Sequence, residues 1–311
     1  MSESGEATDG LTALAEVHAE DFSSRNARAA WCVGQLERGN VLLFSPSEFS
    51  LPAADREFLL AQQQSSAIYH KNIAYRPGPD RLTGLQTPRR EDAERLRGIL
   101  SDFSREATRF VRETLAPYGD GIRLDFASFR PIEERGRPNR TRARNDLLHT
   151  DAFPTRPTGG DRILRFFVNL NPSVPRVWIT SETFGPLAER YGRAAGLDAV
   201  ARAARSPLGH AGRRLCRSLG LTVRSPYDRF MMGFHNWLKE NDEFQRTCVK
   251  SRWEFAPGAV WMVYTDMVSH AVRSGQFALE QTFLVSRGAM WQPALSPAGV
   301  LERLCGCPVT D

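Results

Sequence analysis

The tripeptide His149-Thr150-Asp151 contains the residue types of a metal site. Successive side chains of a strand point to opposite faces, so an imidazole and a carboxylate two residues apart lie side by side. Two protein ligands hold a divalent metal weakly, and a third is therefore expected. His270, at the end of a later predicted strand, is the best candidate among the remaining histidines.

Two histidines and one carboxylate on one face of iron(II) leave three coordination positions open. Those positions accept a bidentate keto acid and O₂, which are the co-substrates of 2-oxoglutarate-dependent oxygenases. We therefore predict that His149, Asp151 and His270 are metal ligands and catalytic residues. The competing interpretation of His149 and Asp151 is a hydrogen-bonded histidine beside a solvated aspartate.

A 2-oxoglutarate carboxylate needs a cationic partner, and a guanidinium group matches a carboxylate in two-point contacts. In many such enzymes a basic residue follows the second histidine by about ten positions, but the predicted strand 278–285 has no base there. Arg130 and Arg165 lie on strands that flank the His-x-Asp segment, and either is a candidate anchor. Neutral hydrogen bonds to the co-substrate are expected from Asn169, Gln281 and Thr282.

These side chains need a rigid scaffold, and the sequence pattern indicates one that is mainly β with flanking helices. The predicted strands are 122–132, 145–153, 163–170, 176–180, 259–268 and 278–285, and an amphipathic helix is predicted over 91–115. This order of elements suits an antiparallel β-barrel-like core, over about 120–180 and 250–292, with helices packed outside. A helical insertion is predicted over about 184–247, with Ser225, Pro226 and Asp228 marking one helix start. Residues 1–21 are predicted to be flexible and 22–311 to form a single catalytic domain.

The charge balance is basic, with 41 Lys and Arg against 36 Asp and Glu and a pI of about 9.1. Arginine-rich segments at 135–144 and 202–217 indicate either a solvated basic surface or an anionic partner. No apolar run approaches the roughly 18 residues of a membrane-spanning helix, and no signal peptide is evident. We expect a cytoplasmic protein, with peripheral contact at the inner membrane.

Longer motifs resemble the Kdo 3-hydroxylases of Gram-negative bacteria, over about residues 123–292. Kdo is 3-deoxy-D-manno-oct-2-ulosonic acid. The matching segments are His149-Thr150-Asp151, 165–172, 227–230 with 235–239, 261–272 and 279–283. The resemblance implies a double-stranded β-helix, which is a jelly-roll or cupin-like core. It also implies a requirement for iron(II), 2-oxoglutarate and O₂, with His149, Asp151 and His270 as iron ligands.

The resemblance also implies a substrate, Kdo in the lipopolysaccharide inner core attached to lipid A, that is hydroxylated at carbon 3. Arg144, Arg162 and Arg273 are expected to contact this anionic glycolipid, and no nucleic-acid partner is expected. Two alternatives stay open: a 2-oxoglutarate oxygenase acting on another substrate, and a basic polyanion-binding module in which His-x-Asp is incidental. The oligomeric state is not predicted.

Overall fold

A computed structural model describes residues 10–62, 72–85, 89–137 and 139–310. Its strands are β1 (Leu14–Val17), β2 (Val41–Phe44), β3 (Ile73–Arg76), β4 (Arg81–Thr83), β5 (Ile122–Arg130), β6 (Arg162–Asn169), β7 (Arg176–Thr183), β8 (Ser251–Phe255), β9 (Val260–Tyr264), β10 (Val268–Ser274) and β11 (Ala278–Val285). Its α-helices are α1 (Arg25–Glu37), α2 (Ala53–Leu60), α3 (Arg90–Thr114), α4 (Phe184–Tyr191), α5 (Leu197–Arg205), α6 (Pro207–Ser218), α7 (Pro226–Glu240), α8 (Asp242–Thr247) and α9 (Pro297–Cys305).

Two sheets form the scaffold. The larger has the order β1-β2-β9-β6-β11-β5-β3-β4, and the smaller has the order β10-β7-β8. The four central strands of the larger sheet pair antiparallel, as do all strands of the smaller one. The segment around His149 extends the smaller sheet through a bridge to β10. This is the double-stranded β-helix that the sequence predicts.

Aromatic side chains fill the space between the sheets. Phe167, Trp178, Phe255 and Trp261 are almost fully buried there, and Phe255 stacks on Trp261 with ring centroids 4.1 Å apart. A second, larger apolar core lies between the larger sheet and the helices. There α3 buries one face, including Phe103, whose ring lies 6.2 Å from that of Phe166. The helices thus support the larger sheet from behind, and the smaller sheet faces it across the site.

Three strand predictions require correction. Residues 145–153 do not form a continuous strand, because their backbone bonds to β10 are irregular: His149 pairs with His270, but Val272 donates to Asn145. The predicted strand 259–268 is two strands, since a turn separates β9 from β10. His270 therefore lies inside β10 and not at a strand end.

The N-terminal prediction is also wrong in part. Residues 14–17 form β1, which pairs parallel with β2 and buries Val17 completely, so they are not flexible. Residues 1–9 lie outside the described part of the chain. The interval 184–247, predicted to be helical, contains α4 to α8, and Ser225 and Asp228 form the predicted capping box at the start of α7.

Candidate metal centre

His149, Asp151 and His270 are brought together at one end of the smaller sheet. Each offers one ligand atom, and these atoms all lie within 4.8 Å of one another. The bridge between His149 and His270 aligns their imidazoles, with ring centroids 4.7 Å apart. The Asp151 amide donates to the Thr265 carbonyl at 2.7 Å, which fixes the carboxylate beside the rings.

Backbone carbonyls set the orientation of both histidines. His149 Nδ1 lies 2.7 Å from the Leu147 carbonyl, and His270 Nδ1 lies 2.9 Å from the Val268 carbonyl. A carbonyl accepts only from an N–H, so each Nδ1 carries the hydrogen and each Nε2 presents a lone pair. This is the second contact that metal-bound histidines make in proteins. The donor set therefore suits a divalent metal.

Burial and charge keep the ligands in their metal-binding forms. Burial, with the nearby charge of Lys239, holds the pKa of His149 well below its usual value, and burial likewise lowers the pKa of His270. Burial alone would raise the pKa of Asp151, but the Arg165 guanidinium and His149 hold it well below the ordinary range. Neutral imidazoles beside an ionised carboxylate are the protonation states that bind a metal.

The helical insertion and the smaller sheet enclose the triad. His235, on α7, packs edge-on against His149 with ring centroids 4.9 Å apart, and its Nδ1 lies 2.8 Å from the Thr150 carbonyl. The Trp178 ring of β7 stacks on His270 at 5.2 Å. Their positions orient the imidazoles and restrict access of water.

Arg130 and Arg165, the two predicted anchors, are both neutralised by Glu280. Arg130 Nε donates to Glu280 at 2.8 Å, and Arg165 forms ion pairs with Glu280 and, at 2.8 Å, with Asp151. Their charge holds the pKa of Glu280 down at about 2, against the effect of burial. Glu280 follows His270 by ten positions, where many related oxygenases carry a base. Here an acid at that position pairs with bases from neighbouring strands.

Arg176, which the sequence analysis missed, is the least compensated cation of the cavity. It is 1% exposed, its Nη1 donates to the Gly275 carbonyl at 3.0 Å, and its Nε has no hydrogen-bond partner. Its nearest described carboxylate, Glu134, is 3.9 Å away. Burial and the charge of Arg130 lower the pKa of Arg176 to about 10. The cavity is lined by Arg130, Asn145, His149, Asp151, Arg165, Phe167, Arg176, Trp178, His270 and Val272.

The three predicted neutral groups have different positions. Thr282 faces the site, since its hydroxyl donates to Glu280 at 3.2 Å. Gln281, the adjacent strand residue, points to the opposite face and donates to the Asp125 carbonyl. The Asn169 amide donates to the carbonyls of Val174, Phe255 and Ala256, so it fastens two loops at the far end of β6. The structure thus places one of the three beside the ion-pair network.

The predicted substrate contacts do not converge on the triad. Arg162 is fully buried, bonds Asp266 at 2.8 Å and stacks over the Tyr264 ring, so it is structural. Arg273 lines a separate cavity on the outer face of the smaller sheet. Asp146 lines the same cavity, and Arg144 donates a hydrogen bond to its carboxylate. Arg273 points away because it is one residue removed from Val272, which faces the triad.

A double-stranded β-helix that carries a His-x-Asp and a distal histidine defines the class of non-haem iron oxygenases that use a keto acid. Comparisons with known proteins agree with this class. The 3-deoxy-D-manno-oct-2-ulosonic acid (Kdo) hydroxylase family matches residues 19–308, and the chain belongs to that family.

Solved structures of the Kdo hydroxylase KdoO, a non-haem Fe(II) α-ketoglutarate-dependent dioxygenase, are similar to this chain. One is a complex with α-ketoglutarate and Fe(III), and another is the apo form. Each is 32% identical, with a TM-score of 0.80, and the alignment covers 96% of this chain and 97% of that chain. A search of curated proteins gave no match.

Proposed function

We propose that this protein is an iron(II)- and 2-oxoglutarate-dependent hydroxylase that converts carbon 3 of Kdo, within Kdo-lipid A, from a methylene to a hydroxyl-bearing carbon. The observation that carries the proposal is the triad of His149, Asp151 and His270, whose ligand atoms lie within 4.8 Å of one another and whose histidines bond backbone carbonyls through Nδ1, which leaves Nε2 for a metal. Membership of the Kdo hydroxylase family supports the sugar assignment.

Iron(II) with 2-oxoglutarate would supply the activation of O₂. The keto acid would lose CO₂, take up one oxygen atom of O₂ to become succinate, and provide two of the four electrons that reduce O₂. The substrate C–H bond would provide the other two electrons. The remaining oxygen atom becomes the new hydroxyl. The protein contributes ligands, orientation and exclusion of water, while the cofactor carries the redox chemistry.

Arg176 is our choice for the residue that binds the distal carboxylate of 2-oxoglutarate. Arg130 and Arg165 already share Glu280, and Arg165 also pairs with Asp151, whereas the nearest described carboxylate to Arg176 is 3.9 Å away. A buried cation is stable only when it is paired, so an anionic ligand is expected to complete its contacts. Thr282, whose hydroxyl donates to Glu280, is the neutral residue of this network.

The substrate is anionic through its sugar carboxylates and lipid A phosphates. Arg273, with Arg135 and Arg252, lines the cavity on the outer face of the smaller sheet. We propose that this basic cavity binds an anionic group of the glycolipid that lies outside the reacting sugar. Arg144 is tied to Asp146 at the same cavity, and its role would be to limit how much negative charge Asp146 presents there.

Because the substrate is a lipid, we propose that the protein acts peripherally at the cytoplasmic face of the inner membrane. Among the helices of the described residues, none has the length and apolar content to cross a bilayer. Contact with the membrane would therefore use a surface of the folded domain.

The proposal is tested by incubating the protein with Fe(II), 2-oxoglutarate, labelled O₂ and Kdo-lipid A, followed by mass spectrometry. We expect one labelled oxygen atom on the Kdo residue and one succinate for each product. Succinate formation stimulated by a different acceptor, with Kdo unchanged, would keep the oxygenase and reject the sugar. Binding of polyanions without succinate formation would favour the binding-module alternative.

A further inference from the structure

Helix α6 and the turn after it expose an unusual number of leucines. Leu208, Leu215 and Leu219 recur at i, i+7 and i+11, so they lie along one helix face, and they are 86%, 62% and 68% exposed. Leu221 is 57% exposed. Four of the nine large exposed apolar side chains in the described part of the chain thus fall within residues 208–221. Such clusters mark interaction sites.

One arginine of α6 is turned toward the protein. Arg213 is only 7% exposed, and its guanidinium donates to His210 Nδ1 at 3.0 Å. His210 Nε2 in turn lies 2.5 Å from the Ala204 carbonyl. A helix on a water-exposed surface normally buries its apolar face and presents its charges to solvent. In α6, by contrast, Leu208 and Leu215 are exposed and Arg213 is buried, so its outer face is suited to an apolar environment.

The segment that contains α6 carries side-chain charges of one sign. Residues 199–227 contain six arginines and one histidine but no aspartate or glutamate. Arg202, Arg205 and Arg214 are exposed. A segment that combines exposed leucines with arginines and contains no acidic residue is complementary to a layer with an apolar interior and anionic head groups. An anionic phospholipid bilayer has both properties.

This surface adjoins the loop that leaves the metal centre. Arg224 donates to the Pro154 carbonyl. Pro154 follows Asp151 by three residues, and Leu221 precedes Arg224 by three. Three residues span at most about 11 Å, which limits the distance from Pro154 to Asp151 and from Arg224 to Leu221. The loop is held further by Asp228, which accepts from the amides of Thr158 and Gly159. A membrane bound at α6 would thus lie beside this loop.

We propose that Leu208, Leu215, Leu219 and Leu221, with the exposed Arg202, Arg205 and Arg214, form a membrane-docking surface for anionic phospholipid bilayers. The leucines enter the interfacial region, and the guanidinium groups contact lipid phosphates. The purpose of docking, which is to bring the metal centre to a membrane-borne glycolipid, rests on the proposed function. The docking itself follows from the exposed leucines and the one-signed charge.

Vesicle sedimentation tests the docking directly. The full-length protein should bind vesicles that contain phosphatidylglycerol and should bind pure phosphatidylcholine vesicles weakly. Replacing Leu215→Glu and Leu219→Glu together should lower the partition coefficient by about tenfold or more, because it removes two apolar contacts and introduces two carboxylates that the anionic lipid repels. Val249→Glu is the matched control, since Val249 is 60% exposed but lies outside this surface, and it should bind as the wild type does. Raising salt from about 0.1 to about 0.5 M should weaken binding.

Equal vesicle binding by the double variant and the wild type, with both folded by circular dichroism, would overturn the proposal. So would a change in oligomer mass by light scattering with vesicle binding unaltered, since the leucines would then be a protein interface. Turnover of deacylated Kdo-lipid A separates the two proposals. It should be the same in the double variant and the wild type, and its absence in the wild type would reject the function without affecting the vesicle result.

Discussion

Arg176 and Gly275 are in direct contact beside the metal centre. The Arg176 guanidinium donates to the Gly275 carbonyl at 3.0 Å, and a Cβ on Gly275 would lie 2.7 Å from Arg176 Cγ. Gly275 has a φ of +133°, a conformation that L side chains rarely adopt. The turn between β10 and β11 therefore holds the one arginine of the cavity whose charge is left mostly uncompensated.

Removing the Arg176 guanidinium should weaken the binding of 2-oxoglutarate. We expect Arg176→Gln to raise the KM for 2-oxoglutarate by about 30-fold or more, because loss of a buried charge partner costs about 2 kcal/mol or more. Steady-state succinate formation measures this. Arg109→Gln, on the exposed face of α3, is the control and should leave that KM unchanged. An unchanged KM in Arg176→Gln would move the anchor to Arg130 or Arg165.

Gly275→Ala should act in the same direction without removing any charge. The added methyl group displaces Arg176, so the KM for 2-oxoglutarate should rise, while the affinity for cobalt(II) should stay near the wild-type value. Gly119→Ala is the comparison, since Gly119 also has a positive φ but a Cβ there meets no neighbour within 4 Å. If both variants change the KM equally, the effect comes from backbone strain and not from Arg176.

Metal binding should resist mild acid. Burial keeps the pKa of His149 and His270 below the ordinary value of 6.5, so protons begin to compete with the metal only below that pH. Lys239→Met removes a positive charge that lowers the pKa of His149, so that pKa rises and competition begins at higher pH. Cobalt(II) titrations across the acidic range should show the variant losing affinity first. Identical profiles would show that the Lys239 charge does not reach the ligands.

Arg162 should behave as a structural residue and not as a substrate contact. Arg162→Met leaves Asp266 buried without its partner, and breaking a buried ion pair costs about 3–5 kcal/mol. Denaturant unfolding should show this loss, and Arg162→Met with Asp266→Leu should recover much of it. The substrate KM of the folded fraction should not change. A raised substrate KM with full stability would restore the substrate role.

The metal centre could be predicted from the sequence because its signal is local. His149 and Asp151 are two residues apart, and the motif around His270 is long and specific. A regular strand was predicted at 145–153, whereas in the structure a single β-bridge between His149 and His270 brings these two ligands together. A β core with helices outside it could be predicted as well, because alternating apolar strands and a helical interval follow a simple pattern, and the family resemblance implied the double-stranded β-helix.

The co-substrate pocket could not be predicted, because it depends on pairing across long stretches of chain. Glu280 neutralises Arg130 from 150 residues away, and only the strand register shows this. Gln281 and Thr282 were both predicted to face the site, although adjacent residues of a strand point to opposite faces. Arg176 has no motif in its neighbourhood, so only its burial in the structure makes it a candidate for binding the co-substrate.

The measurement that tests the central claim most directly is an anaerobic titration of the protein with iron(II) and 2-oxoglutarate, followed by visible absorption. If His149, Asp151 and His270 hold the metal, the wild type should develop a weak charge-transfer band that O₂ abolishes. His149→Ala should show no band while its circular dichroism remains that of the wild type. A band of full intensity in folded His149→Ala would contradict the proposed ligand set.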